Sequence, residues 1–309
     1  MNNTLKGILF VAIGASSYGM LATFVKLAYK ENYSTAEVTI SQFTLGILIV
    51  LLLNIFSKKT PAILSTVDIK KLMLAGTTMG FTSVMYYLCV KYLNASIAVV
   101  LLMQSVWIGV LIESLQTKKI PSLLKIGAVI LVLLGTALAT NIFSSEIHFN
   151  LKGFIFGFLS AISFSLTLFS TNSVATHLPP FKRTLYMLFG GAIIVLLFAL
   201  VTQILPTYAN IELISDADLI VNKPFNFSIL FNYGILLSVF GTVLPPIFLN
   251  KGFPLIGVGL GSIISAIELP VSVTFAYLLL SEQVNAIQWM GILLILFAII
   301  MMNYKLIKK

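Results

Sequence analysis

Glu268 is an acidic residue in the middle of a long apolar stretch, and it has the clearest potential for chemistry in this chain. An ionised carboxylate at the centre of a bilayer costs about 2.5 kcal/mol or more unless it meets a partner or water. Such a group either faces a cavity, where it binds an amine or exchanges a proton, or forms structural hydrogen bonds between helices. The sequence leaves both roles open.

Polar and aromatic side chains in other apolar stretches are further candidates for contacting a small solute. Gln104 offers an amide, and Trp107 lies three positions later on the same helical face. A site role and a packing role are equally supported for Gln104, whereas packing or an interfacial position is preferred for Trp107. The remaining candidates are Tyr18, Ser163, Tyr86 and Tyr87.

Prolines in the apolar stretches are candidate hinges. Pro245, Pro246 and Pro270 each remove a backbone donor and bend a helix. The carbonyls that they release must be satisfied by a cavity or by neighbouring groups. A static kink is the preferred interpretation of the Pro245-Pro246 pair, and a gating hinge is the alternative.

The chain that positions these residues is too apolar for a water-soluble fold. Its 309 residues are 59% hydrophobic and 9% charged, with a mean hydropathy of +1.04. A helix of about 20 apolar residues crosses the roughly 30 Å of hydrocarbon in a bilayer. The predicted spans are 5–28, 35–56, 70–92, 95–116, 121–142, 151–172, 184–205, 228–249, 255–280 and 285–305. The sequence therefore predicts an all-α integral membrane protein with ten transmembrane helices.

The basic residues indicate how these helices are oriented, because cytoplasmic loops are enriched in Lys and Arg. They are dispersed through short loops and form no basic stripe, which argues against a nucleic-acid partner. With an internal amino terminus, the residues that fall outside are Lys26, Lys30, Lys91, Lys152 and Lys223, out of 19 in total. This bias predicts cytoplasmic termini and an extracytoplasmic loop at about 206–227.

No metal or cofactor site is evident from the sequence. Cys89 is the single cysteine, so a CxxC site within one chain is excluded. Neither HExxH nor GxSxG occurs, and the absence of GxxxxGK[ST] argues against intrinsic ATP hydrolysis. We therefore expect no metal, no cofactor and no enzymatic activity.

The chain contains an internal repeat. Leu5-Lys6-Gly7 recurs as Leu151-Lys152-Gly153, and the same offset pairs Tyr18 with Phe164, which aligns the first span with the sixth. A larger offset pairs Gln104 with the acidic residue of span nine, which aligns spans four and five with spans nine and ten.

The repeat predicts two five-helix units, at residues 1–145 and 146–309. Since five is an odd number of spans, the second unit enters the membrane from the side opposite to the first. Inverted repeats favour alternating access, with a substrate site near the midplane between the two halves.

Segments of the second repeat carry a resemblance to a known family. They are Ser265-Ala266-Ile267-Glu268-Leu269-Pro270, Leu280-Ser281-Glu282 and Gln288-Trp289-Met290-Gly291. They are similar to the Glu/Pro helix and the final helix of EamA-type carriers in the drug/metabolite transporter superfamily. The first repeat departs from this pattern, with Gln104, Val106 and Lys118 at the matching positions.

The resemblance implies a secondary transporter in the plasma membrane, specifically a bacterial inner membrane. We expect it to export small organic metabolites such as amino acids or nucleosides, or drugs, by alternating access. Its expected partners are the small-molecule substrate, a coupled proton and the lipid bilayer, and it would act as a monomer or homodimer. The alternatives are an intramembrane enzyme and a non-catalytic membrane scaffold or sensor.

Overall fold

Helices account for the regular secondary structure of the chain. The computed structural model describes residues 2–56, 64–93, 95–142, 150–214, 216–280 and 283–307, and within these ranges no strand occurs. The helices are α1 (Asn3–Lys30), α2 (Thr35–Phe56), α3 (Thr66–Tyr92), α4 (Ala95–Leu102), α5 (Ser105–Thr117), α6 (Leu123–Ala139), α7 (Leu151–Ser173), α8 (Pro180–Ala209), α9 (Leu230–Ile256), α10 (Val258–Ser265), α11 (Glu268–Leu280) and α12 (Ala286–Ile307). A helix satisfies its own backbone donors and acceptors, which hydrocarbon requires.

Eight segments of the described chain are long and apolar enough to cross a membrane. Two of them are helix pairs, namely α4 with α5 and α10 with α11. Helix α6 and the apolar part of α12 are shorter, and the 17 residues of α6 span roughly 25 Å. The protein is therefore a multi-pass membrane protein, and the count of ten spans stays a prediction.

The polar loop between α8 and α9 starts later than predicted. Helix α8 continues through Pro206 to Ala209, so the loop begins at Asn210 and not at residue 206. The last ten residues of α8 form a π-helix, which is wider than an α-helix. Pro206 lies inside this π-helical segment.

Helix α9 changes its winding in front of the predicted hinge prolines. The π-helical turn Val239–Val243 is followed by the α-helical segment Leu244–Ile256, and Pro245 and Pro246 lie in the first turn of that segment. A missing backbone N–H costs least in the first turn of a helix. Their hinge role stays a prediction.

Glycines allow the central helices to touch backbone to backbone. A Cβ on Gly76 of α3 would lie 1.9 Å from the carbonyl oxygen of Met187 in α8. A Cβ on Gly190 of α8 would lie equally close, at 1.9 Å, to the carbonyl oxygen of Met73. Small residues let membrane helices approach in this way. Helices α3 and α8 therefore form a tight pair, and α3 also packs along α7 as α1 packs along α9.

A buried carboxylate anchors the loop at one end of the molecule. Glu37 of α2 is fully buried and accepts hydrogen bonds from Ser34 N at 2.7 Å, Asn226 N at 2.8 Å and Gln203 Nε2 at 3.0 Å. Lys223 Nζ lies 3.2 Å from the same carboxylate. Ser34 and Glu37 also form a capping box at the start of α2.

A buried arginine links three helices at the opposite end. The side chain of Arg183 in α8 is almost fully buried and donates to the carbonyls of Val174 at 3.1 Å, Asn250 at 2.9 Å and Thr171. Thr171 and Val174 lie at the carboxyl end of α7, where a cation is stabilised by the helix dipole. In the sequence, basic residues near helix ends indicate only the orientation of the helices, whereas the structure gives Arg183 a packing role.

We expect Gly76→Ala to destabilise the protein by about 1–3 kcal/mol, because the added Cβ forces the α3 and α8 backbones apart. Gly127→Ala is the matched control, since a Cβ there meets nothing within 4 Å and alanine favours a helix. Thermal unfolding in detergent micelles measures both effects. Equal unfolding midpoints for the two variants would contradict the backbone contact between α3 and α8.

Candidate functional site

A cavity lies between the central helices, next to the predicted key residue. Its lining residues are Tyr18, Leu21, Ala22, Gln42, Met79, Thr82, Ser83, Tyr86, Tyr87, Leu102, Phe164, Thr167 and Glu268. The centres of water molecules can occupy about 60 Å³ of this cavity. The two halves of the chain both contribute to it, and we call it the central cavity.

Glu268 enters the central cavity from a break in a membrane helix. Helix α10 ends at Ser265 and α11 begins at Glu268. Pro270 has no N–H for the carbonyl of Ala266, which instead accepts from Leu269 N at 3.2 Å. The carboxylate is thus placed at the N-terminal end of the second half of this broken helix.

One oxygen of the Glu268 carboxylate is left without a partner. Its Oε2 atom is buried, and no hydrogen-bond partner for it exists among the described residues. A buried polar atom without a partner costs about 1–3 kcal/mol, and more if the group is charged. The described residues therefore leave part of the hydrogen-bonding capacity of this carboxylate unused.

The first repeat has a corresponding helix break, but its polar residue is already engaged. Gln104 lies between α4 and α5, its Nε2 donates to Val100 O at 3.0 Å, and its Oε1 accepts from Trp107 Nε1 at 3.0 Å. Neither Gln104 nor Trp107 lines the central cavity. The structure therefore gives both residues a local packing contact, and their role in substrate binding stays a prediction.

Tyr18 is held beside Glu268 by close packing of α1. A Cβ on the next residue, Gly19, would lie 2.3 Å from the carbonyl oxygen of Glu268, so the α1 backbone touches the start of α11. The ring of Tyr18 meets the ring of Phe164 edge to face, with centroids 5.9 Å apart. These two aromatic residues are repeat partners, and they meet at the cavity wall.

Two tyrosines of α3 complete the aromatic part of the wall. The rings of Tyr86 and Tyr87 lie 6.0 Å apart, and both line the central cavity. The Tyr87 hydroxyl donates to Gln42 Oε1 at 2.8 Å, and both of these residues are buried. The structure thus brings Tyr18, Tyr86 and Tyr87 together with Glu268.

Ser163, another predicted site residue, is not among the residues that line the central cavity. Its hydroxyl donates to the carbonyl of Thr78 at 2.8 Å, which joins α7 to α3. A hydroxyl with this partner packs two helices together. Its predicted contact with substrate is untested.

The central cavity is also lined by residues that the sequence did not indicate as candidates. Gln42 of α2 offers the amide that was expected from Gln104, and Met79, Thr82, Ser83 and Thr167 contribute further contacts. A signal for Gln42 was present, because an amide in the middle of an apolar span is costly without a partner. For the other four, nothing in the sequence distinguishes a cavity face from a packed face.

A second cavity adjoins the first. It is lined by Ala22, Val25, Lys26, Tyr86, Val90, Val99, Ala139, Thr140, Leu269, Ser272, Val273, Ala276, Gln283, Val284 and Gln288, and the centres of water molecules can occupy about 90 Å³ of it. Ala22 and Tyr86 line both cavities. The wall between them is therefore formed in part by these two side chains. We call this second space the adjacent chamber.

Metal ligation has no support in the described part of the chain. No group of three or more His, Cys, Asp or Glu side chains occurs there. Ser281 and Glu282, which carry part of the family resemblance, lie outside the described residues.

Comparison with known proteins identifies the family. The model of the EamA-like transporter family matches residues 5–141 and again residues 151–304. No curated protein matches the chain. A solved crystal structure with 12% sequence identity matches with a TM-score of 0.72 over 97% of both chains, and at that identity the likeness shows the fold alone. With two matches that cover nearly the whole sequence, this chain belongs to the EamA-like transporter family of the drug/metabolite transporter superfamily.

Proposed function

We propose that this protein is a secondary transporter that exports small organic solutes through the central cavity by alternating access. The observation that carries the proposal is the buried, unpartnered Oε2 of Glu268 at the wall of a cavity shared by both repeats. In a membrane protein, a carboxylate at a discontinuous helix is a typical site for substrate or for a coupling ion. Membership of a transporter family supports the same function.

The helix pairing supports an inverted arrangement of the two repeats. We propose that they form ten spans with cytoplasmic termini in a bacterial inner membrane. Helix α1 packs on α9, and its repeat counterpart α7 packs on α3, the counterpart of α9. The breaks before α5 and before α11 also fall at corresponding positions. Alternating access then exchanges the conformations of the two repeats around a fixed site.

A coupled proton fits the chemistry of Glu268. When the cavity is closed to water on both sides, an ionised carboxylate without a partner is costly. Either a proton or a bound cationic group removes that cost. A carrier with this constraint changes its access only when the carboxylate is neutralised, which couples solute movement to a proton gradient.

The central cavity offers less support for an intramembrane enzyme. Acid–base and nucleophilic catalysis need a base within hydrogen-bond reach of a nucleophile or a second acidic group. The residues that line this cavity include one carboxylate, with no histidine and no cysteine. A non-catalytic scaffold or sensor would not need a carboxylate oxygen that lacks a partner inside a cavity.

We expect Glu268→Gln to lower pH-gradient-driven uptake into proteoliposomes by about tenfold or more, because the amide cannot exchange a proton in this pH range. The solute for the assay is the one with the largest thermal shift in a panel of amino acids, nucleosides and cationic drugs. Glu212→Gln, in the exposed part of the α8–α9 loop, is the control for loss of one carboxylate. If uptake by the Glu268→Gln protein depended on the pH gradient as it does in the wild type, the role of Glu268 in proton coupling would be contradicted.

We expect Ala22→Phe to slow flux strongly without loss of folding. The proposed route of the solute passes Ala22 between the central cavity and the adjacent chamber, and the larger ring fills that passage. Ala22→Val should give an intermediate rate. Leu9→Phe on the exposed face of the same helix is the control. Flux and thermal unfolding midpoint are measured on each variant, and wild-type flux through a folded Ala22→Phe protein would exclude this passage.

The orientation can be tested with single-cysteine variants, because the native Cys89 is buried and is removed by Cys89→Ser. In that background, Glu212→Cys is expected to react with a membrane-impermeant maleimide in intact cells. Lys119→Cys, an exposed position between α5 and α6, is expected to react only after the cells are permeabilised. Labelling of Lys119→Cys in intact cells would contradict the proposed cytoplasmic position of the segment between α5 and α6.

A further inference from the structure

We infer that the central cavity selects protonated amines that carry a compact apolar group, so that the transported solute is an organic cation. This inference rests on the proposed transport function and names the substrate class of the same site. It is carried by the charge, the hydrogen-bonding capacity and the aromatic content of the cavity wall.

The charge of the wall favours a cation. Apart from the tyrosines, Glu268 is the only ionisable residue among the described residues that line the central cavity. No Lys, Arg or His is among them. The carboxylate of an anion or of a zwitterion would enter this space without a cationic partner. Burial of an unpaired charge is costly, so both of those classes are disfavoured.

The hydrogen-bonding groups favour an ammonium over a quaternary cation. Glu268 Oε2 is a buried acceptor without a partner, and an ammonium N–H donates to a carboxylate in a short, charge-assisted hydrogen bond. The Tyr87 hydroxyl already donates to Gln42 Oε1, so it does not satisfy the carboxylate. A quaternary ammonium has no N–H and would leave Oε2 without a bond.

The hydroxyls of the wall argue against a polyol or a nucleoside. Thr82 donates to Thr78 O at 2.8 Å, Ser83 to Met79 O at 3.2 Å and Thr167 to Ser163 O at 3.1 Å. Each of these three hydroxyls thus lies within hydrogen-bond distance of a backbone carbonyl of its own helix, and Thr167 Oγ1 also lies 2.8 Å from Thr78 Oγ1. A ligand with many hydroxyl groups would find these three donors already in use.

The aromatic rings provide a surface for the cationic head and for the apolar body. Tyr18, Tyr86, Tyr87 and Phe164 all line the cavity that contains the carboxylate. Aromatic faces attract cations by about 0.5–2 kcal/mol, and the larger values apply to desolvated sites such as this one. The aliphatic parts of the wall give the remaining contact area for a compact apolar group.

The test compares ligands that share one phenyl ring and differ in charge. The probes are 2-phenylethylamine, its N,N,N-trimethyl derivative, 2-phenylethanol, phenylalanine and 3-phenylpropionate. Dissociation constants are measured by isothermal titration calorimetry on the purified protein in detergent. We expect the primary amine to bind at least about tenfold more tightly than each of the other four, which corresponds to 1.4 kcal/mol.

Variants locate the binding and separate the two proposals. Glu268→Gln should remove the preference for the amine, Glu268→Asp should retain it with weaker affinity, and Glu212→Gln should leave it unchanged. Equal affinity for the alcohol or phenylalanine, amine preference retained by Glu268→Gln, or no binding of any probe would each overturn the inference. If the amine preference fails while a different solute still shows Glu268-dependent flux, only the substrate class is wrong. If no solute shows such flux, the proposed function itself fails.

Discussion

The placement of one carboxylate oxygen without a protein partner is the constraint on which the site depends. A hydrocarbon environment requires that backbone and side-chain polar groups be satisfied within the protein. The break between α10 and α11 places Glu268 at a half-helix N-terminus, and the approach of α1 at Gly19 holds the aromatic wall against it. The fold thus holds the carboxylate in place while none of the described residues donates a hydrogen bond to Oε2.

Buried charges at the two ends of the molecule show the opposite arrangement. Glu37 receives hydrogen bonds from both backbone and side chain and faces Lys223, while Arg183 donates to carbonyls on two other helices. Groups that are satisfied in this way fix the geometry around them. At the α8–α9 loop, Lys152 donates to Asp216 at 2.6 Å, and this ammonium lowers the pKa of the Asp216 carboxyl. The charged groups that hold the ends together are thus paired, in contrast to the carboxylate in the central cavity.

The sequence allowed much of the fold to be predicted, because each membrane helix is defined by its own apolar length. The repeat and the position of Glu268 beside a cavity could also be predicted, since both are visible in residue types. Which face of each helix lines the cavity and which packs against another helix could not be predicted. Ser163 and Gln42 are both polar residues in apolar spans, yet packing turns the first towards α3 and the second towards the cavity. That choice depends on glycine contacts between distant helices, such as the contact of Gly76 with α8, which local patterns do not encode.

The two repeats differ because an amide and a carboxylate have different hydrogen-bonding capacity. Gln104 has both a donor and an acceptor, so it bonds the carbonyl of Val100 and the indole of Trp107 at the same time. An ionised glutamate has no donor for a backbone carbonyl, and Val271 stands where the repeat would place an indole N–H. The local contacts that satisfy the first break are therefore unavailable at the second. A duplicated helix break can in this way have a fully bonded polar side chain in one half of the protein and, among the described residues, a carboxylate oxygen without a partner in the other.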